Sequence, residues 1–131
     1  AANDYDWPPT TGAWEADAAF ASCMDRVRGL EESRRTGEGL RQWGKSGHLA
    51  RMQASGHFRY VKEAVLHHVD GGNAERLVGL LLSQGSTMGL LKLGLTEREL
   101  GIDVFREIAQ RTLGTETRPW YWSARIRMGV V

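Results

Sequence analysis

Two segments of the chain carry the residue pattern of β-strands, with helical periodicity between them. Residues 57–69 are rich in Val, Tyr and Phe and lack glycine and proline, which favours a strand. Apolar and polar residues alternate irregularly in this segment. We therefore expect either that both faces of the strand are covered by other parts of the protein or that the strand has a bulge near Lys62 and Glu63. Residues 119–131 alternate more clearly, and their apolar side consists of Trp120, Trp122, Ala124, Ile126, Met128 and Val130. Both segments are therefore predicted to be strands.

The part of the chain before the first strand is predicted to be helical after an opening loop. Residues 1–11 are assigned to a loop because Pro8 and Pro9 lack amide donors and restrict the residues before them. A helix is predicted over 11–35, and a shorter one over 47–54. The apolar positions that recur at helical spacing in the longer helix are Trp14, Phe20, Met24, Val27 and Leu30.

Two more helices are predicted between the strands. Residues 70–72 (Asp-Gly-Gly) should end the first strand, and Asn73 is a suitable N-cap for a helix over about 74–91. Thr96 and Glu99 have the spacing of a capping box for a helix over 96–114, which Gly114 should end. The apolar stripe of that last helix is predicted at Leu100, Val104, Ile108 and Leu113.

The predicted order is helix, helix, strand, helix, helix, strand, within one domain of 131 residues. Two strands are marginally stable in water. The pair therefore needs a larger sheet, supplied by another chain, by a second copy or by a segment that is missing here.

Composition excludes several classes of function. A net charge of +1 gives no field that would attract nucleic acid or an anionic membrane. A single cysteine, Cys23, excludes an internal disulfide, and its apolar neighbours predict a buried thiol. The chain shows neither a membrane-spanning run nor a basic and apolar leader. We therefore expect a cytoplasmic protein that binds neither nucleic acid nor membrane.

The sequence contains few motifs that carry chemistry. The nearest approach to a dinucleotide-binding loop, Gly37-Glu38-Gly39, follows a helix and has Gln42 in the third glycine position. The adjacent histidines His67 and His68 would point to opposite faces of a strand, which disfavours a shared metal ion. No metal site is predicted.

Histidine and tryptophan supply the remaining candidates. A general base could come from His57, His67 or His68, although an ordinary packed or surface histidine is the commoner case. Core packing accounts for Trp14, Trp120 and Trp122, whereas Trp7 lies beside two prolines and could line a pocket.

Most of the chain resembles the C-terminal half of class I S-adenosylmethionine-dependent methyltransferases of the UbiE-like, methyltransferase type 11 group. The resemblance rests on residues 55–68, where Gly56-His57-Phe58 leads into a strand, and on residues 75–85, which end in Ser83-Gln84-Gly85. Residues 101–114 and 120–131 are similar to the helix and strand that follow. Residues 4–7 (Asp-Tyr-Asp-Trp) resemble the loop after the fifth strand of that fold.

The resemblance implies a Rossmann-like α/β fold of which this chain supplies only the closing part. Residues 1–54 would form a helical region on the substrate side, and 55–131 a strand–helix–helix–strand unit. Its two strands, about 57–69 and 119–131, would be strands six and seven and would pair antiparallel to close the sheet. The substrate would be a small molecule bound near Trp7, Phe58, Ser83 and Gln84. The cofactor, S-adenosylmethionine, would bind the half of the domain that carries the glycine-rich loop, which is absent from this sequence.

Three functions stay open at this point. The first is the substrate-side part of a methyltransferase, active when a second chain or segment completes the sheet. The second is a non-enzymatic protein of that ancestry that binds a small ligand or dimerises through strand edges. The third is a helix-turn-helix regulator, because residues 95–100 resemble the start of that motif in LuxR-type regulators. The motif requires a recognition helix next, whereas this chain continues into a β-like segment.

Overall fold

The computed structural model describes residues 2–34 and 45–131, with only the backbone described for 2–7 and Lys45. Within these ranges the chain is mixed α/β, with six α-helices and a three-stranded antiparallel sheet. The elements are β1 (Ala2–Thr10), α1 (Trp14–Ser33), a 3₁₀ turn (Lys45–Gly47), α2 (His48–Ala54), β2 (Tyr60–Gly72), α3 (Ala74–Leu82), α4 (Gly85–Lys92), α5 (Glu97–Leu100), α6 (Ile102–Leu113) and β3 (Arg118–Val130).

The sheet has the strand order β1-β3-β2, with β3 antiparallel to both neighbours. β1 and β2 are therefore parallel to each other. The predicted antiparallel pairing of the two C-terminal strands is confirmed, and it runs without interruption from Tyr60 opposite Val130 to Gly72 opposite Arg118. The sequence predicted either that both faces of β2 are covered or that a bulge lies near Lys62 and Glu63, and both alternatives are wrong. The irregular alternation of β2 instead accompanies exposure on both of its faces, at Val65 and Leu66.

The assignment of residues 1–11 to a loop is also wrong, because Ala2–Thr10 forms the third strand. Pro8 and Pro9 are compatible with this strand since β1 lies at an edge of the sheet and its register shifts between Asp6 and Thr10. The sheet thus contains one strand more than the sequence predicts.

The last residues of β2 extend the strand rather than end it. Asp70 lies opposite Trp120, and Gly72 lies directly beneath the Trp120 ring, where a Cβ would collide with the indole. Glycine is therefore required for packing at this point, not for a turn. Trp120 is fully buried and Trp122 nearly so, as predicted.

One hydrophobic core joins this end of the sheet to the helices. α1 contacts α4 and α6, and α3 packs on α6. Phe20 and Phe105 meet edge to face with ring centroids 5.7 Å apart. The buried core residues are Ala16, Phe20, Cys23, Met24, Val27, Ala74, Leu77, Val78, Leu81, Leu90, Leu100, Ile102, Phe105, Ala109, Leu113, Trp120 and Trp122.

The helices between the strands are broken where the sequence predicts continuity. The helix predicted over 74–91 divides at Ser83 and Gln84. The helix predicted over 96–114 divides at Gly101, which has a left-handed φ of 76°. The Asn73 N-cap, the Thr96–Glu99 capping box and the stop at Gly114 are confirmed.

The break at Gly101 also rotates the predicted stripe of α6. The buried positions are Ile102, Phe105, Ala109 and Leu113, and Val104, predicted to be inward, is exposed. The glycine-rich segment 37–39 and Gln42 lie outside the described residues.

Candidate functional site

An open cleft of about 520 Å³ lies where β1 ends and β3 begins. The carboxyl ends of the parallel strands β1 and β2 both lie at this edge of the sheet, since Gly72 is paired with Arg118 and Thr10 with Tyr121. Ligands of α/β proteins commonly bind outside the carboxyl ends of the strands. The lining residues are Thr11, Gly12, Ala13, Trp14, Glu15, Thr112, Leu113, Arg118, Pro119 and Tyr121.

The loop between β1 and α1 is fixed by a network around Asp17. The Thr11 hydroxyl donates to Asp17 Oδ1 at 2.7 Å, and the Thr11 backbone N–H donates to both carboxylate oxygens at 3.2 and 3.3 Å. The Ala13 N–H donates in turn to Thr11 Oγ1 at 3.2 Å. Gly12 has a left-handed φ of 83°, which glycine adopts at little cost. One wall of the cleft is therefore a hydrogen-bonded turn with buried Thr11 at its centre.

Two aromatic side chains in the cleft are left open to solvent. Trp14 is 77% exposed and Tyr121 is 57% exposed. The prediction that Trp14 is a core residue is wrong, because the buried face of α1 begins at Ala16 and continues through Phe20, and position 14 lies off that stripe. Single exposed aromatics are ordinary on protein surfaces. Two that line one cleft supply flat apolar surface for a planar ligand.

The charges around the cleft are paired. Arg111 on α6 donates to Glu15 on α1 at 2.8 Å. Arg118 lies 3.7 Å from Glu116 in a more exposed pair. The cleft thus combines apolar aromatic surface with a rim of balanced charge, which favours a small, partly apolar ligand over a highly charged one.

The histidines predicted as general-base candidates do not line the cleft. His57 is exposed before β2, and its backbone N–H donates to Ser55 Oγ at 3.3 Å. His67 is exposed on β2, with Nδ1 3.3 Å from Ser123 Oγ. His67 and His68 lie opposite the successive residues Ser123 and Trp122, so they point to opposite faces, as predicted.

The predicted substrate-binding residues are dispersed. Phe58 is half-buried with its ring over Gly129. Ser83 is the C-cap residue after α3, and its hydroxyl donates to the Leu80 carbonyl. Trp7 lies in β1, and its side chain is outside the described part of the chain.

Gln84 is the member of that set that comes near the end of β1. It is the N-cap residue of α4, and Nε2 donates to the Leu80 carbonyl at 3.1 Å. It also lines a smaller cavity of about 200 Å³ together with Pro8 of β1 and Phe20 of α1. Gln84 and the strand that carries Trp7 are therefore brought together, whereas Phe58 and Ser83 do not line this cavity.

The sequence interpretation missed Trp14 and Tyr121. Tyr121 lies on the polar side of the alternating strand β3, and an aromatic residue on that side is a usable signal for exposure. Trp14 also carried a usable signal, because the six residues to Phe20 turn a helix by about 240° and put Trp14 off the Phe20 stripe.

The described residues offer neither a cluster of metal ligands nor a helix suited to span a membrane. In the ranges 2–34 and 45–131, no three His, Cys, Asp or Glu side chains are grouped so that they could hold a metal ion. None of the helices in those ranges is long and apolar enough to cross a membrane.

No family model, curated protein or solved structure matches the chain.

Proposed function

We propose that this chain is the C-terminal, substrate-side part of an S-adenosylmethionine-dependent methyltransferase that acts on a small molecule. The observation that carries the proposal is the topology of the sheet. β1 and β2 are parallel, and the final strand β3 runs antiparallel between them. The resemblance assigns β2 and β3 to strands six and seven and residues 4–7 to the loop after the fifth strand. Those residues lie within β1 instead, and β1 takes the place of the fifth strand beside β3.

The outer edge of β1 is where the remaining sheet would attach. Within the described ranges β1 pairs only with β3, so its other edge can accept a further strand along the residues before Pro8 and Pro9, which lack amide donors. Large sheets that mix parallel and antiparallel strands are common among doubly wound folds. Strands added to β1 in parallel would place their carboxyl ends beside the cleft, where ligands bind in such folds.

The residues of this chain do not supply a site for the methyl donor. The sequence has no G-x-G-x-x-G loop between a strand and a helix, and the two glycines before α3, Gly71 and Gly72, belong to β2. The donor is therefore assigned to the added half, and this chain contributes the acceptor side. Trp14 and Tyr121 would hold a planar acceptor, since methyl transfer depends mostly on positioning of the two reactants.

Calorimetric titration with S-adenosylmethionine tests whether the methyl donor binds outside this chain. The chain alone should give no binding heat. Any DNA that continues the reading frame upstream of residue 1 should encode a glycine-rich loop after a strand, and the longer protein should bind S-adenosylmethionine with a micromolar Kd. Tight binding by the chain alone, or a longer protein that does not bind, would contradict the proposal.

Variants of the longer protein test the acceptor cleft. Trp14→Ala and Tyr121→Ala should leave S-adenosylmethionine binding unchanged and lower methyl transfer about tenfold across a panel of planar acceptors. Val104→Ala is the matched control, because Val104 is 58% exposed and does not line the cleft. Unchanged transfer in both aromatic variants would exclude the cleft as the acceptor site.

A further inference from the structure

The outer edge of β2 is a long strand edge with exposed apolar side chains. β2 has 13 residues, and within the described ranges it pairs only with β3. Val65, Leu66 and Val69 are 45%, 53% and 58% exposed. An edge of this kind is a template for pairing with another strand unless charges, prolines or bulges block it. β2 contains no proline, and its pairing with β3 has no bulge. It does contain the charged residues Lys62, Glu63 and Asp70, of which the two acids pair with arginines of the same chain.

We propose that β2 pairs antiparallel with β2 of a second copy of the chain, across a two-fold axis at Leu66. The two sheets would then join into one sheet of six strands. Leu66 is the midpoint of Tyr60–Gly72, so this register pairs every residue of one strand with a residue of the other. Two-fold association of this kind uses the same surface patch on both copies.

Two of the residue pairs that face each other in this register are complementary. Lys62 lies opposite Asp70 of the partner subunit, and the symmetry produces this pair twice. Leu66 lies opposite the partner's Leu66 on the same face of the sheet. Lys62 is exposed, and the Asp70 side chain is 42% exposed although it pairs with Arg76 on its own chain. Opposite charges and apolar pairs placed directly across two strands stabilise a sheet.

Neighbouring registers lose this complementarity. A shift of two residues places Lys62 opposite either His68 or Gly72 of the partner subunit, and the Lys–Asp attraction disappears. A shift of one residue places side chains of one strand opposite the wrong face of the other. The register centred on Leu66 is thus selected both by length and by charge.

The two outer edges of the sheet would pair with different partners. The methyltransferase proposal uses the outer edge of β1, and the dimer uses the outer edge of β2. Neither proposal rests on the other, so each can fail alone.

Sedimentation velocity on the purified chain tests the association. The expected species has twice the 14.6 kDa mass of one chain. Lys62→Glu places two acidic residues opposite each other and should raise the dimer Kd at least tenfold. Lys92→Glu is the control, because it makes the same charge change at an exposed position on α4. A wild-type monomer at 100 μM, or equal effects of the two variants, would overturn the proposal.

Disulfide cross-linking tests the register. Leu66→Cys places two thiols on directly opposed residues, whose Cα atoms are about 4.5–5.5 Å apart in an antiparallel pair and within reach of a disulfide. Tyr60→Cys introduces a thiol at a similarly exposed site, 56% against 53%, but the two copies of residue 60 would be about 40 Å apart. Mild oxidation should therefore cross-link Leu66→Cys alone.

The native Cys23 does not complicate this measurement, because it is buried. The folded state of each variant is checked by circular dichroism before oxidation. A Tyr60→Cys dimer formed as fast as the Leu66→Cys dimer would show a different register and overturn the proposal, as would failure of folded Leu66→Cys to cross-link.

Discussion

The two halves of the β2–β3 ribbon are stabilised by different forces. At one end, Gly72, Trp120 and Trp122 are buried in the hydrophobic core. In the other half, Glu63 of β2 accepts a hydrogen bond from Arg125 at 3.1 Å and another from Arg127 at 2.8 Å. The same pair of strands is thus held by apolar packing at one end and by ion pairing at the other.

The difference follows from where the helices lie. The core that contains α1, α3 and α6 also contains Trp120 and Trp122, but no residue of β3 beyond Trp122. Further along β3, Met128 and Val130 are exposed. Arg127 is nevertheless 4% exposed, and a buried guanidinium must be paired because desolvation of an unpaired charge is costly. Because Arg125 and Arg127 alternate with Trp120 and Trp122 along β3, they lie on the opposite face of the sheet, so this half of the ribbon is held by ion pairing on the face away from the hydrophobic core.

The largest effect is expected for Trp120→Ala at the apolar end. Loss of a fully buried indole should lower the free energy of unfolding by about 3–5 kcal/mol. Part of that loss is offset, because Trp120 Nε1 has no hydrogen-bond partner among the described residues. Urea denaturation measures the change. Tyr121→Ala, one residue along on the opposite face, is the control and should change stability far less.

Gly72→Ala tests the same end by adding an atom instead of removing many. The new Cβ would collide with the Trp120 ring, so the ring or the strand must shift, at a cost of about 1–3 kcal/mol. Gly79→Ala on α3 is the matched control, since a Cβ there meets nothing within 4 Å. That variant should stabilise the protein by about 0.5–1 kcal/mol. Equal destabilisation by both variants would contradict the tight packing of Trp120 on Gly72.

Glu63→Gln tests the ionic end. The variant weakens both pairs to Glu63 while the Arg127 side chain, 5% exposed, keeps its charge, so we expect a loss of about 2 kcal/mol in stability. Glu116→Gln breaks a pair with Arg118 whose acid is 82% exposed, and it should cost less than about 0.5 kcal/mol. Thermal unfolding at matched pH compares the two. Similar small losses would mean that Glu63 does not hold this half of the ribbon.

Structural features that depend on neighbouring residues were predicted better than features that depend on residues far apart in the sequence. The capping box at Thr96 and Glu99 and the N-cap at Asn73 depend on residues within one helical turn, and both are confirmed. β1 was missed because proline excludes a strand by local rules, whereas an edge position with a register shift accommodates Pro8 and Pro9. Whether the two prolines lie in a loop or in an edge strand depends on the rest of the sheet, which local rules do not consider.

The candidate site, too, depends on contacts between residues that are far apart in the sequence. Trp14 and Tyr121 come from α1 and β3, which are more than 100 residues apart in the sequence, and no local pattern brings them to one cleft. The ionic cluster of Glu63, Arg125 and Arg127 likewise depends on the register of β2 against β3. Alternation correctly placed Trp120 and Trp122 on the buried face, because it needs only the pleat of one strand.

The smallest effect is expected at high pH and concerns Cys23 in the apolar region. Its thiol donates to the Leu100 carbonyl at 3.3 Å, and burial raises the thiol pKa from 9.0 to about 11. The folded state thus keeps a proton that the unfolded chain releases above pH 9. Stability from this group is fully present below about pH 9 and is lost as the pH rises toward 11, by about 1 kcal/mol at pH 10.

Urea denaturation of wild type and Cys23→Ala at pH 8 and pH 10 isolates this contribution. The variant starts from a lower stability because it leaves a small cavity, so the comparison uses the change with pH and not the level. Wild type should lose about 1 kcal/mol more than the variant over this interval. Since the groups at the ionic end are present in both proteins, their titration cancels. Parallel pH profiles would therefore show that Cys23 ionises as easily in the folded core as in the unfolded chain.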